Sequence, residues 1–205
     1  TADFNDPNLF WQWHYINNAD QAVATTSVAG ADINVADAWK LTAGNPEVIV
    51  AIVDEGVKYT HPDLAANMWI NPNPSPEYKN QDIHGWNFAA DGPISWGQKG
   101  DSGHGTHVAG TVAAVNNNGI GVCGVAGGTG KGDGVRLMSC QIFSGDLTGD
   151  ALVSSRAVKY AADHGASILQ CSWGIKAGIY TSDNMFIKQS PMDYEALQYL
   201  SLIHI

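Results

Sequence analysis

Two residues stand where their type could do chemistry. Asp54 ends the unbroken apolar run Val48-Ile49-Val50-Ala51-Ile52-Val53 and is followed by Glu55-Gly56. A continuous β-branched run reads as a parallel strand buried on both faces. In open α/β sheets ligands bind at the carboxyl ends of such strands, so an ionisable group there is suspect. A turn or cap aspartate is the commoner explanation of a single Asp in that place. His104 narrows the choice. It lies in Asp101-Ser102-Gly103-His104-Gly105-Thr106-His107-Val108-Ala109-Gly110-Thr111. Gly103 and Gly105 permit close backbone approach, and Ala109, Gly110 and Ala113 let a helix pack tightly. Carboxylates and imidazoles are the side chains that most often hold and move protons in reactions.

These two residues need elements to position them. Around Asp32–Thr42, apolar Val35, Ala36, Trp39 and Leu41 suit a short amphipathic helix stopped by Gly44 and Pro46. Residues 47–53 read as the first strand. Residues 67–103 are polar and rich in Pro and Gly, hence long loops with one short strand near Trp86-Asn87-Phe88. Residues 104–115 read as a buried helix, 135–143 as a strand, 151–164 as a helix stopped by Gly165, 167–173 as a strand, and 192–199 as the start of a helix. Alternating strands and helices predict a mostly parallel sheet covered on both faces. Residues 1–30 form an arm rich in Asn, Asp and aromatics.

Composition bounds the partners. The 205 residues hold 10 Lys plus Arg against 20 Asp plus Glu, a net charge of −10, which disfavours nucleic acid and anionic membrane surfaces. No apolar run reaches the ~18 residues of a membrane span. The chain opens Thr-Ala-Asp-Phe, without Met or a secretory signal, so a longer natural chain is expected. Cys123, Cys140 and Cys171 are expected to be buried small hydrophobes. The last six residues, Leu200-Ser201-Leu202-Ile203-His204-Ile205, read as the translation of a sequencing-library adapter, the alternative being an apolar strand. Two other chemistries fail on spacing. His104 and His107 lie i, i+3 without the Glu of a zinc-protease helix. Gly130-Lys131 is followed by Gly132 rather than the Ser or Thr of a phosphate loop.

The chain resembles the subtilisin-like serine peptidases. The matching stretches, in the family's order, are 50–56, His61-Pro62-Asp63-Leu64, His104-Gly105-Thr106-His107-Val108-Ala109-Gly110-Thr111, Gly121-Val122-Cys123-Gly124-Val125-Ala126 and Cys171-Ser172-Trp173-Gly174. Asn5-Asp6-Pro7 with Gln12-Trp13-His14 looks like the start of a mature enzyme of this family. The resemblance implies a subtilisin-like three-layer αβα fold with a mostly parallel sheet, incomplete at the C-terminus. Residues 1–30 would be the arm, 31–199 a partial catalytic domain and 200–205 the adapter.

The same resemblance implies the roles. His104 would be the general base toward a serine, and Asp54 would fix its tautomer and stabilise the imidazolium. His107 would be a structural donor. Ser172, Trp173 and Gly174 would form an edge strand pairing with the substrate backbone, faced more weakly by the segment holding Leu147 and Gly149. A structural Ca²⁺ would take oxygens from Asp6, Asp63, Asn118 and the carbonyls of Val115, Ile120 and Val122. The implied protein is a secreted or cell-envelope endopeptidase, a monomer acting on protein or peptide substrates, with a propeptide as a further partner.

The departures matter equally. The resemblance places a Gly-Thr-Ser nucleophile motif and a Gly-Asn stretch for the oxyanion donor beyond residue 199, and neither is present there or after the Cys171–Gly174 segment, so truncation is expected and this chain alone should be inactive. The rival is a peptide-binding relative that has lost its nucleophile. The intact Asp54 and His104 weigh against it. Residues 71–96 and 175–190 match nothing familiar.

Overall fold

The computed structural model describes residues 4–23, 25–174 and 177–203. Among them four strands, β1 (Ile49–Glu55), β2 (Gly85–Asn87), β3 (Arg136–Phe143) and β4 (Ile168–Gln170), form one sheet in the order β2-β3-β1-β4. Among the described residues five α-helices accompany them: α1 (Val35–Ala38), α2 (His104–Ala113), α3 (Ala151–Asp163), α4 (Asp183–Gln189) and α5 (Pro191–Ile203). The pairs β1–β4 and β2–β3 run parallel, and β1 is buried along its whole interior, as its β-branched run requires.

The chain divides into two compact units that interleave in sequence. The first comprises Thr1–Glu47, Thr60–Asn67 and Ala109–Arg136; the second comprises Val48–Tyr59, Met68–Val108 and Leu137–Ile205. The first unit packs Tyr15, Val35, Trp39, Ala43 and Cys123 together. Its arm is pinned by Gln12, whose amide nitrogen donates to the Cys123 carbonyl and whose amide oxygen accepts the Cys123 amide, both at 2.8 Å. The second unit holds the sheet. Ala51, Val53, Met138, Cys140 and Ile142 pack with Trp86, Phe88 and the α3 residues Ala157, Tyr160 and Ala161. Asp150 caps α3, accepting from the amides of Leu152 and Val153 at 3.0 and 2.9 Å.

Several expectations need correction. The helix expected over 32–42 shrinks to Val35–Ala38. Asp32 accepts the Asn34 amide at 2.7 Å, and Asn34 sits at φ +53, so an Asx turn takes the residues before the helix. The strand expected over 167–173 stops at Gln170. Helix α2 is buried on one face only: Gly105, Ala109 and Ala113 face inward while His104, His107 and Thr111 are exposed. Cys123 and Cys140 are buried, but Cys171 is exposed. Residues 175–190 contain α4. The stretch 200–203 continues α5 as helix, not strand, and 204–205 lie outside the described residues.

Candidate active site

Register explains how Asp54 is presented. The last β1–β4 partner pair is Ile52 with Gln170, so Val53, Asp54 and Glu55 run on beyond β4. Asp54 is only 2% exposed, and its Oδ1 accepts the Glu55 amide at 2.7 Å. The same oxygen lies 2.7 Å from Nδ1 of His104, the first residue of α2. Its second oxygen is buried without a partner among the described residues.

Glycine makes the approach possible. A Cβ on Gly105 would stand 2.0 Å from the Glu55 carbonyl oxygen, so any larger residue would push the start of α2 away from β1. A Cβ on Gly56 would likewise meet the Ser95 carbonyl at 1.9 Å. Close backbone packing at Gly105 brings the first residue of α2 within hydrogen-bond reach of a buried strand-end carboxylate.

The electrostatics follow. The hydrogen bond that His104 donates to Asp54 raises the His104 pKa above its ordinary value, and the charges of Asp54 and Glu55 add to this against the effect of burial. With Nδ1 bound to a carboxylate, the neutral ring keeps its proton there and its lone pair on Nε2. The side chain is 48% exposed. The arrangement can accept a proton at Nε2 and stabilise the resulting cation.

The expected substrate residues lie in the same unit. Cys171–Gly174 follow β4 as exposed chain with no strand partner. The Ser172 hydroxyl oxygen accepts from the Gln170 side-chain amide at 3.0 Å. Trp173 donates its indole N–H to the Val53 carbonyl at 2.7 Å and meets Phe143 edge-to-face. That bond ties the 172–174 segment to the residue before Asp54. Leu147 exchanges both main-chain hydrogen bonds with Ser144 at 3.0 Å, so its backbone is already used within a turn and its exposed side chain is what it offers. Gly149 lies against the Ile142 carbonyl, where a Cβ would stand at 2.9 Å.

The expected cation ligands all fall in the first unit. Asp6 Oδ2 accepts from the Asn117 amide at 2.7 Å and the Cys123 thiol at 3.3 Å, while its Oδ1 takes the Asn118 amide at 3.5 Å. Asp63 accepts from the Asn118 side-chain amide at 2.8 Å and the Val122 amide at 2.9 Å. The Asp63 carbonyl accepts the Val115 amide at 2.9 Å, and Asn118 Oδ1 accepts the Ile120 amide at 3.0 Å. Gly121 lies so close that a Cβ would stand 2.0 Å from Asp63 Oδ2. Asp6 and Asp63 are 5% and 3% exposed, and neither has an ion-pair partner among the described residues. No cluster of three or more His, Cys, Asp or Glu suited to a metal occurs among them.

The subtilase family model matches residues 45–200. The chain belongs to the subtilase family. It is 38% identical over 143 residues to neuroendocrine convertase 2 of Bos taurus, covering 70% of this chain and 20% of the relative. It is 32% identical over 170 residues to kexin of Saccharomyces cerevisiae, covering 83% and 17%. Halolysin of Haloferax mediterranei is 33% identical over 146 residues, covering 71% and 25%. The chain thus spans about a quarter or less of these relatives. Among solved structures, the complex of the Aeromonas sobria serine protease with its chaperone superposes with a TM-score of 0.70 at 22% identity, covering 97% of this chain and 29% of that one. Fervidolysin of Fervidobacterium pennivorans gives 0.52 at 27%, covering 82% and 21%. The fold of this subtilase is therefore subtilisin-like α/β, with a parallel sheet flanked by helices.

The sequence pointed to close backbone approach at Gly105, whereas Glu55 stood in a motif without a role. Gly105 carried a signal, since a glycine directly after a catalytic candidate asks for a close contact. The role of Glu55 depends on a contact with residues 47 and 49 positions away.

Proposed function

We propose that this chain supplies the acid–base half of a serine endopeptidase site. The observation behind this reading is the 2.7 Å contact between His104 Nδ1 and the buried Asp54 carboxylate. His104 Nε2 takes the proton of a serine hydroxyl as it attacks a peptide carbonyl, then returns that proton to the leaving amine. Asp54 fixes the tautomer and stabilises the imidazolium. The serine and the oxyanion donor come from sequence outside these residues, so the chain alone has no triad turnover. Ser172, Trp173 and Gly174 pair with the substrate main chain, with Leu147 and Gly149 on the opposite side. Substrates are proteins or peptides, and a propeptide is a further partner. The protein works as a monomer outside the cytoplasm or in the cell envelope.

The first unit holds a structural Ca²⁺. Two nearly buried carboxylates without a cationic partner suit a hard cation, and the set is oxygen-only: Asp6, Asp63, Asn118 and the carbonyls of Val115, Ile120 and Val122. When bound, the ion supplies charge neutralisation and joins the arm to the 115–122 loop.

The test is fluorophosphonate labelling of the full-length protein with a fluorogenic peptide assay alongside. Labelling of one serine, together with turnover lost in His104→Ala, is expected. Peptide binding with neither labelling nor turnover would replace the peptidase by the non-catalytic relative.

A further inference from the structure

We infer that Glu55 is a positioning residue for His104: its carboxylate reaches from the end of β1, closes the N-terminus of α2 and so holds the imidazole against Asp54. The inference rests on the proton-transfer role proposed for His104.

A helix leaves its first amides without intrahelical partners, and a side-chain oxygen one residue before the helix usually meets one of them. Here that residue is Gly103, at φ +79, which has no side chain to offer. Glu55 fills the gap from another element. Its Oε2 accepts the His104 amide at 3.0 Å. Both oxygens accept the Ser102 amide at 3.2 Å, and Oε1 also takes the Ser102 hydroxyl at 3.0 Å. Two successive anchor points, 102 and 104, thereby hang on one carboxylate.

The main chain of the same residue contributes a second grip. The Glu55 carbonyl is the surface on which Gly105 rests, and the Glu55 amide donates to Asp54 Oδ1. One residue therefore sets the carboxylate on one side and the helix start on the other. The segment entering α2 is held upstream as well. Asp101 accepts the Gln98 amide at 2.7 Å and the Gly145 amide at 2.6 Å. The negative charge of Glu55 also favours the helix N-terminus and the protonated ring. The charged groups facing His104 are Asp54 and Glu55, both on β1. A cap that only stabilised the fold would leave the ring's titration untouched, whereas a positioning residue must move it.

The experiment compares Glu55→Gln and Glu55→Asp with the parent in the full-length protein. The His104 titration is followed by NMR, and kcat and KM are measured on one peptide substrate. Glu55→Gln should shift the His104 midpoint to lower pH and cut kcat about tenfold, with KM changed by less than about twofold. Glu55→Asp keeps the charge, but its shorter arm cannot span residues 102 and 104, so the ring loosens against Asp54, the midpoint should stay below that of the parent and kcat should stay low. An unmoved midpoint with unchanged kcat in Glu55→Gln overturns the inference, as does a loss confined to melting temperature. If Glu55→Gln fails to fold, full kcat in Glu55→Asp overturns it. If the parent hydrolyses no peptide, the peptidase reading falls, while the titration, which needs no turnover, still decides the positioning role.

Discussion

His104 is pulled in two directions by pH, and the signs differ. Its folded pKa is raised, chiefly by the hydrogen bond to Asp54. The protonated ring therefore stabilises the fold below its ordinary value of 6.5, and this contribution is lost as pH rises through the folded value. Catalysis needs the neutral ring, so kcat/KM should rise over the same window. Asp54→Asn removes the acceptor of Nδ1 and lets the ring take the wrong tautomer. A pH–rate profile of that variant should show its acid limb displaced to lower pH, with kcat lower by about 10⁴. An acid limb that stays in place would remove Asp54 from the role. Both residues were legible in sequence because each sat at an identifiable boundary: one closing a β-branched run, the other opening a run of small residues. The function of Glu55 was not legible, since a cap supplied from 49 residues away leaves no local spacing to read.

The contact between α2 and β1 is the element-scale counterpart. Gly105→Ala forces a methyl into the Glu55 carbonyl oxygen, which lies on the backbone and cannot rotate aside. Overpacking of this kind costs about 2 kcal/mol, so calorimetry should show a melting temperature roughly 6 °C lower. His104 amide protection should fall with it. A variant that melts with the parent would mean the helix start has slack the structure does not show. Elements were legible in proportion to how strongly one pattern dominated. The apolar run located β1, although the strand starts and ends two residues later than the expected 47–53, and α3 announced itself by period and by Gly165. Helix α1 was overextended because an Asx turn at Asp32 competes for the backbone, a local polar effect that apolar periodicity does not register. Strand β4 was overextended for the opposite reason: apolar residues continue past Gln170, but the β1 register does not.

For the molecule as a whole, the net charge of −10 makes any bound cation doubly favourable, at its ligands and against self-repulsion. Chelation by EGTA should lower the melting temperature, by about 4 kcal/mol of stability if calcium had been present at a thousandfold excess over its dissociation constant. Asp63→Asn should erase the difference between calcium and EGTA. An EGTA-insensitive parent would leave the 115–122 loop as a hydrogen-bonded turn. The interleaving of the two units was not legible in sequence, because no change of composition marks the points where the chain passes between them. Its consequence falls on biosynthesis. Strand β1 ends at Glu55, and its neighbour β3 begins at Arg136, 81 residues later. At about 5–20 residues per second, a ribosome holds the bare Val48–Val53 run in solution for roughly 4–16 s before β3 emerges to cover it. Slow elongation would prolong that interval, so yield of this subtilase should depend on what shelters the nascent strand as much as on the stability of the finished fold.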